Sequence, residues 1–254
     1  MKRALAWTAA LWLAAGMARA DGLADLKTAL ARASASAPLR AQLDSRAWRK
    51  VGEGKDAEEE SGQVGLQVEQ GARGLSVTYS RATLARTAEE LRARSKNPNS
   101  KAPTLMVMGQ FDVHELLAVT AAAGLLARTI ERDTYKGERG DVWQGSPARV
   151  LTFEAPMSSL SERERKYAKQ YQSTMELWIG ADGTPLASHT GVRITGRAFV
   201  VVSFEARHEE DCVYATVADH LLMVRRETRD SSAGAGEREE RKLLTTLQVL
   251  PGPG

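Results

Sequence analysis

Hydrophobic and polar residues alternate along much of this chain, which is the pattern of β-strands with one buried face. The clearest case is 63–69, where every second residue is apolar between Val64 and Val68. Turn residues separate the runs, and Asp182-Gly183 favours a tight hairpin. The pattern predicts about ten short strands. They cover 39–51, 63–69, 75–79, 135–143, 149–154, 175–179, 185–194, 198–204, 213–217, 220–227 and 241–249.

Three further expectations depend on the composition of short runs. The segment 198–204 is apolar throughout, so we expect a central strand covered on both faces. The charged run 208–212 is expected to be a hairpin loop between two strands. The run 231–236, rich in serine and glycine, is expected to be a flexible loop.

A second pattern, with apolar residues three or four positions apart, predicts helices. A helix of about three turns is expected from Leu23 to Ala31, and a charged helix with a thin apolar stripe over 81–95. Ser161 and Glu164 have the spacing of a capping box at the start of a short basic helix. We interpret the basic face of that helix as solvated surface; the alternative partner is an anionic lipid headgroup.

The segment 104–132 is the most apolar helical block. Asp112 is a candidate N-cap, and Glu115 lies three residues further on, as in a capping box. One face of the following helix is expected to carry Val113, Leu116, Leu117, Thr120 and Gly124. The alanines at 121–123 widen the apolar surface to nearly the whole circumference, and such a helix is expected to be buried.

These elements predict the fold class. Strands joined by tight hairpins form an antiparallel sheet, and the sheet must bury one face against another layer. We expect an α+β fold: a curved antiparallel sheet or incomplete β-barrel of about ten strands, wrapped around an apolar helical insert at 81–132, with an N-terminal helix. One domain is expected over 21–250, and a disordered tail over 251–254.

The first twenty residues have the pattern of a secretory signal peptide. Lys2 and Arg3 precede an apolar run from Ala4 to Ala15, and Ala18-Arg19-Ala20 fits the small-x-small pattern of a cleavage site. The alternative is a membrane anchor, but about a dozen apolar residues is short of the roughly 20 that span a bilayer. We expect cleavage after Ala20 and a periplasmic or secreted protein that is not an integral membrane protein.

Charge and cysteine content narrow the function classes. Three of the 35 basic residues lie in the predicted signal peptide, so the remaining 32 balance the 32 acidic residues. A neutral chain does not favour nucleic acid as a partner. Cys212 is the only cysteine, so no internal disulfide is possible. We expect it to pack as a small apolar residue on a strand; a reactive thiol is the alternative.

One short motif carries a family resemblance. The run 175–186, Met-Glu-Leu-Trp-Ile-Gly-Ala-Asp-Gly-Thr-Pro-Leu, resembles a strand of the periplasmic Lol-type lipoprotein-carrier superfamily. In that family a tryptophan-containing apolar triplet leads into an Asp-Gly turn and a proline. The order of the N-terminal helix and the strands over 39–80 is similar too. The resemblance implies an unclosed antiparallel barrel with helices at its mouth, and it supplies no catalytic residues.

Candidate chemistry is sparse in this chain. His208, Glu210 and Cys212 could share one face of a strand and bind zinc, but the charged hairpin loop is the preferred interpretation. Asp112 and Glu115 resemble an acid–base pair, although both have helix-start roles. His189 and His220 are expected to face solvent. No G-x-S-x-G, H-E-x-x-H, C-x-x-C or P-loop pattern occurs, so we expect no catalytic residues, no metal, no cofactor and no enzyme activity.

The apolar helical block is the candidate binding site. Its excess of large apolar residues fits the wall or lid of a cavity for an acyl chain, and methionine adapts to variable shapes; ordinary core is the alternative. The candidate ligand-binding residues are Met106, Met108, Phe111, Leu116 and Leu117. The sequence therefore predicts a non-catalytic carrier of a hydrophobic ligand, such as a lipid or a lipoprotein acyl chain. The alternative is an interaction or sensor module that docks an envelope protein partner and carries no ligand.

Overall fold

The computed structural model describes residues 21–33, 35–71, 74–198 and 202–251. The predicted signal peptide and residues 252–254 of the predicted tail lie outside the described residues. The ten strands of these described ranges belong to one antiparallel sheet, in the order β3-β2-β1-β10-β9-β8-β7-β6-β5-β4. The strands are β1 (Leu39–Val51), β2 (Glu58–Gly71), β3 (Gly74–Tyr79), β4 (Thr134–Trp143), β5 (Ser146–Glu154), β6 (Ala168–Ile179), β7 (Pro185–Ala198), β8 (Val202–Val217), β9 (His220–Gly234) and β10 (Glu237–Val249).

The sheet is open, because β3 and β4 stand at opposite ends of the strand order and do not pair in the part of the chain that the structure describes. Among the described residues six α-helices accompany the sheet: α1 (Gly22–Arg32), α2 (Arg81–Lys96), α3 (Pro103–Met108), α4 (Val113–Thr120), α5 (Ala122–Arg132) and α6 (Glu162–Tyr167). Helices α2 to α5 connect β3 to β4, so the helical insert joins the two free edges of the sheet. This architecture confirms the predicted α+β fold class.

The core lies between the inner face of the sheet and helices α1, α4 and α5. Helix α1 packs against α5 and β5, while α4 and α5 both cross β9. Strand alternation supplies the other half of the core, since alternate residues of each strand face these helices. The fully or almost fully buried side chains of this core include Leu26, Leu43, Leu66, Leu151, Phe153, Leu177 and Leu222.

Two local predictions about the helices are confirmed by hydrogen bonds. The Asp112 carboxylate accepts from the backbone N–H of Glu115 at 2.8 Å, so it caps α4. At α6, Ser161 and Glu164 form the complete capping box. Glu115 does not complete a box with Asp112, however, because its carboxylate forms an ion pair with Arg226 of β9. Glu115 thus binds a residue distant in the sequence instead of the backbone at the start of its own helix.

The predicted central strand at 198–204 is wrong. Ala198 ends β7 and Val202 begins β8, and the two are antiparallel partners, so the run belongs to two strands; residues 199–201 lie outside the described residues. An apolar run of seven residues is compatible with a buried strand and equally with the meeting point of two strands. The pairing partners, which the local pattern does not contain, decide between them.

Two predicted loops are also wrong. The charged run 208–212 lies within β8, and most of 231–236 belongs to β9, which continues to Gly234. The reversal into β10 needs only Ala235 and Gly236, both with positive φ. Charged and small residues are tolerated here because every strand of the long hairpin has a hydrogen-bonding neighbour on each side.

The block 104–132 is not one buried helix. The chain bends by 99° between α4 and α5, which lets both helices direct one side to the core. Their remaining sides face outward, and Val113 and Leu117 are 65% and 42% exposed. Within the described ranges no single helix is long and apolar enough to cross a membrane, and the pair α4–α5 reaches that length only across the bend.

Candidate ligand groove on the inner face of the sheet

Helices cover only part of the inner face of the sheet. Helix α3 packs against β2 and β1 at one side, and its approach is close: a Cβ at Gly62 would lie 2.2 Å from the carbonyl oxygen of Pro103. Between α3 and strands β7 to β10 the inner face stays accessible. Two cavities of about 340 and 410 Å³ adjoin there and share Asp230 and Arg241. We call their combined space the inner groove.

A row of charged side chains crosses the floor of the inner groove. Antiparallel register places Arg49 of β1 opposite Arg241 of β10, Arg241 opposite Asp230 of β9, and Asp230 opposite His208 of β8. Directly paired residues point to the same face of a sheet. The row therefore follows from strand order and register, although its members are scattered over most of the chain.

Apolar and small residues border this charged row. Ile194 and Ala206 are cross-strand partners on one side of it, and Ala47 and Leu243 are partners on the other. Leu105 and Met106 of α3 line the opposite wall of the larger cavity. The rest of the lining of the larger cavity is mostly polar or charged, so the groove combines apolar strips with polar groups.

His208 and Asp230 form a pair in the floor. The Nδ1 atom of His208 lies 2.7 Å from a carboxylate oxygen of Asp230. This hydrogen bond raises the pKa of His208 and outweighs the opposing effect of burial. The pair can therefore hold a proton at the groove surface to a higher pH than an unpaired histidine would.

Glu239 holds both arginines of the row. Arg49 and Arg241 each direct Nε to the same carboxylate oxygen of Glu239, the latter at 2.7 Å. Burial opposes ionisation of this carboxyl, but the hydrogen bonds from Arg241 and Arg49 outweigh burial and lower its pKa. Two guanidinium groups thus share one carboxylate.

A third charged cluster separates the inner groove from the core. Arg226 of β9 forms ion pairs with Glu115 of α4 and with Glu210 of β8, its Nε lying 2.6 Å from Glu210. Burial raises the pKa of the Glu115 carboxyl, because desolvation outweighs the attraction of Arg226. The cluster attaches α4 to the sheet at the inner end of the groove.

The structure separates the five predicted binding residues. Met106 lines the inner groove, and Met108 is half-buried with its sulfur 3.2 Å from the Thr87 hydroxyl. Phe111 is half-buried against the core and Leu116 is 5% exposed within it. Leu117 lies on the outer side of α4. The structure thus does not bring the five together around one cavity.

The residues that sequence reasoning missed lie on the strands. The groove is lined by Ile194, Ala206, Asp230 and Arg241. Each of them belongs to a segment whose pattern is that of an ordinary amphipathic or charged strand. The alternation along each strand could have indicated these residues, because it predicts that residues two positions apart share one face of the sheet. Only the strand order reveals which of these faces is left uncovered.

The zinc hypothesis has no geometric support. His208, Glu210 and Cys212 alternate along β8 and face inward, but His208 binds Asp230 and Glu210 binds Arg226. The Cys212 sulfur lies 3.6 Å from the Met223 sulfur, and burial raises the pKa of the thiol. No group of three or more His, Cys, Asp or Glu side chains suited to a metal ion occurs among the described residues. Cys212 is 2% exposed on a strand, as predicted.

The two histidines that were expected to face solvent differ. His189 is 44% exposed on the outer face, where it pairs with Asp211. His220 is only 1% exposed, so the prediction for this residue is wrong. It lies directly after the β8–β9 turn, and helix α4 covers it.

The chain matches none of the protein-family models and none of the curated proteins with which it was compared. The similarity of 175–186 to Lol-type carriers therefore stays a prediction from the sequence. The Asp182-Gly183 turn of that motif does form, with Gly183 at φ +83°.

Proposed function

We propose that this protein is a non-catalytic binding or carrier protein for a hydrophobic ligand, a lipid or the acyl chain of a lipoprotein, and that the inner groove is its binding site. The observation that carries the proposal is the uncovered inner face between α3 and β7–β10. Its two cavities of about 340 and 410 Å³ fall within the range of small-molecule sites, roughly 300–1,000 Å³.

The composition of the groove supports an amphiphilic form of such a ligand. Ile194, Ala206 and Leu243 offer apolar surface along the walls, whereas Arg241 and the His208–Asp230 pair offer polar contacts. Burying a methylene group contributes about 0.8 kcal/mol, so several chain carbons could supply useful affinity. The head of the ligand would remain at the charged row.

The signal-peptide pattern supports export to the periplasm or beyond. The test is the mass of the mature protein, which should begin at Asp21. Retention of 1–20 in a membrane-bound product would contradict both the localisation and the free carrier.

Blocking the groove tests the binding proposal. Ile194→Trp should fill the smaller cavity and abolish saturable binding of a fluorescent fatty-acid probe. Arg193→Trp is the matched control, because the adjacent residue points to the outer face and is 51% exposed. Both variants should melt close to wild type. Equal loss of binding in the two variants, or no saturable binding by wild type at micromolar concentration, would contradict the proposal.

The second candidate function is an envelope interaction or sensor module, and one observation favours it. The outer face has a shallow depression of about 890 Å³ around Trp48 and Leu244, with the Lys242 ammonium 5.1 Å from the Trp48 ring centre. Native mass spectrometry of protein from the periplasm separates the candidates: co-purified lipid supports the carrier, and a ligand-free mass favours the interaction module.

A further inference from the structure

Helix α2 directs its polar side to the protein and its leucines to solvent. Leu84 and Leu91 lie two turns apart and are 51% and 54% exposed, and Ala88 lies between them on the same side of the helix. We call these three residues the leucine stripe. An amphipathic helix of a globular protein ordinarily covers the core with its apolar side, so the orientation of α2 is reversed.

Polar contacts fix this orientation. Helix α2 packs chiefly against α3. Glu90 accepts hydrogen bonds from the backbone N–H groups of Thr104 and Leu105, both at 2.9 Å, at the start of α3. The Thr87 hydroxyl lies 3.2 Å from the sulfur of Met108 at the end of α3. Because polar residues make these contacts, the leucine stripe is left on the outside.

Arginines border the leucine stripe. Arg81 lies three positions before Leu84, and Arg92 lies four positions after Ala88, so both flank the stripe on the helix surface. Both side chains are exposed, and neither forms an ion pair or a side-chain hydrogen bond with a described residue. Arg81 is also the first residue of α2, where the helix dipole disfavours a cation. Its position therefore does not serve the stability of the helix.

The nearby acids leave this border positive. Helix α2 has five basic side chains and two acidic ones. Glu90 binds the start of α3, and Glu60 of β2 lines the inner groove. Glu89 lies three positions before Arg92 and balances part of its charge. No acid lies within four positions of Arg81 along the chain.

The shape of this surface favours a bilayer over a folded partner protein. Two leucines on one convex helix form a ridge, and a rigid partner would need a groove that matches it. The interface of a lipid bilayer adapts to such a ridge, because leucines enter the boundary between headgroups and acyl chains while basic side chains extend to the phosphates. Anionic lipids add attraction for the basic residues.

We propose that the outer side of α2 docks on an anionic lipid surface, with Leu84 and Leu91 inserted between headgroups and with Arg81 and Arg92 bound to lipid phosphates. The contact is peripheral: the helix lies along the surface and does not cross it. These four residues line neither cavity of the inner groove, so the docking holds or fails independently of the proposed function.

Sedimentation with lipid vesicles tests the docking. The exported, water-soluble protein is mixed with vesicles of phosphatidylcholine alone or of phosphatidylcholine and phosphatidylglycerol in equal parts. Binding to the anionic vesicles should be at least about tenfold tighter, and it should weaken as salt is added, because ions screen the attraction. Equal binding to both kinds of vesicle, or binding to neither, would overturn the proposal.

Two double variants assign the contact to α2. Leu84→Gln with Leu91→Gln removes the apolar ridge, and Arg81→Gln with Arg92→Gln removes the flanking charges. Each should weaken binding to anionic vesicles by about tenfold or more. All four side chains are exposed, so both variants should melt close to wild type. A folded variant that binds as tightly as wild type would contradict the assignment.

Matched controls make the same kinds of change elsewhere. Val142→Gln with Val217→Gln replaces two apolar side chains that are 61% and 38% exposed on strands. Arg46→Gln with Arg193→Gln removes two exposed arginines from the outer face of the sheet. Both controls should bind vesicles like wild type. Losses equal to those of the α2 variants would show that the contact is not specific to α2.

Two further measurements address other occupants of the stripe and the inner groove. A dimer in size-exclusion chromatography that is lost in Leu84→Gln with Leu91→Gln, together with no vesicle binding, would show that a second copy covers the stripe and would overturn the proposal. Ile194→Trp, which blocks the groove, should bind vesicles like wild type. Loss of vesicle binding in that variant would mean that lipid is held by the groove and not by α2.

Discussion

The Nε2 atom of His220 lies 2.7 Å from the carbonyl oxygen of Ala37, so the first residue of β9 is tied to the segment that joins α1 to β1. Its Nδ1 atom lies 3.0 Å from the carbonyl oxygen of Thr120, the last residue of α4. The bend after α4 interrupts the helical hydrogen-bond ladder near this carbonyl, and the His220 ring provides a partner for it. One buried side chain thus connects the N-terminal segment, the helical insert and the sheet.

His220→Ala should lower the free energy of unfolding by about 1–3 kcal/mol, because an imidazole ring with one N–H donates to only one of the two carbonyl oxygens, and that oxygen loses its donor. Urea denaturation measures the change. His189→Ala is the control: its ring is on the outer face, and its loss should change stability by no more than about 0.5 kcal/mol. Similar losses for both variants would show that the buried contacts of His220 contribute nothing special.

The pKa of His208 should lie above the ordinary histidine value, because its hydrogen bond to Asp230 raises it. A raised histidine pKa stabilises the fold fully below the unfolded value of about 6.5, and this contribution is lost as pH rises through the folded value. Asp230→Asn should lower the His208 pKa measured by NMR and reduce the loss of stability on raising the pH. A wild-type His208 titrating at or below about 6.5 would contradict this relationship.

Glu115 should respond to pH in the same direction for a different reason. Burial raises its pKa, so the fold disfavours the ionised form and gains stability as pH falls through the folded value. Glu115→Gln should therefore keep or raise the melting temperature at neutral pH and flatten its pH dependence. A marked loss of stability in this variant would show that the ion pair with Arg226 outweighs desolvation.

Arg226→Gln should have the opposite effect on the same cluster. It leaves Glu115 and Glu210 facing each other without a cation, and breaking a buried pair costs up to about 3–5 kcal/mol. The loss should be smaller at acid pH, because Glu115, whose pKa burial raises, then takes up a proton and no longer repels Glu210. Arg225→Gln on the outer face, where the arginine is 48% exposed, is the matched control and should change stability little.

Gly183 should tolerate no side chain, for two separable reasons. Its φ is +83°, and an added Cβ would lie 2.3 Å from the backbone of Asp25 in α1. Gly236 has nearly the same φ, +81°, with nothing within 4 Å of the added Cβ. Gly236→Ala should cost about 1–2 kcal/mol from the left-handed conformation alone, and Gly183→Ala should cost clearly more. Equal costs would mean that α1 shifts freely away from the turn.

Local patterns predicted the regular elements well where burial alternates. The strand 39–51 has the bounds expected from the sequence, because Leu39, Ala41 and Leu43 face the core and the residues between them are polar. Patterns failed where both faces are polar, as in 208–212 and 231–236. There the strand is held by ladder hydrogen bonds and by cross-strand ion pairs such as Arg229 with Asp211, which require knowledge of the partner strand.

The candidate site was the least predictable part. Apolar content favoured the helical block, and of its five candidate residues only Met106 lines the inner groove. Leu116 packs in the core, and Leu117 faces outward. The bend between α4 and α5 determines which sides of the two helices contact the sheet. Composition records how apolar a helix is, but not the direction from which it is covered.

The sequence by itself determined the element types, the hairpins and the α+β class, since alternation, helical spacing and turn residues are properties of neighbouring positions. Only the tertiary structure decided where the groove lies and which charges line it. Arg49 and Glu239 are 190 positions apart, and they meet because β1 closes against β10 in one particular register. A shift of one residue would turn every side chain of a strand to the other face, so long-range pairing sets the chemistry of the inner groove.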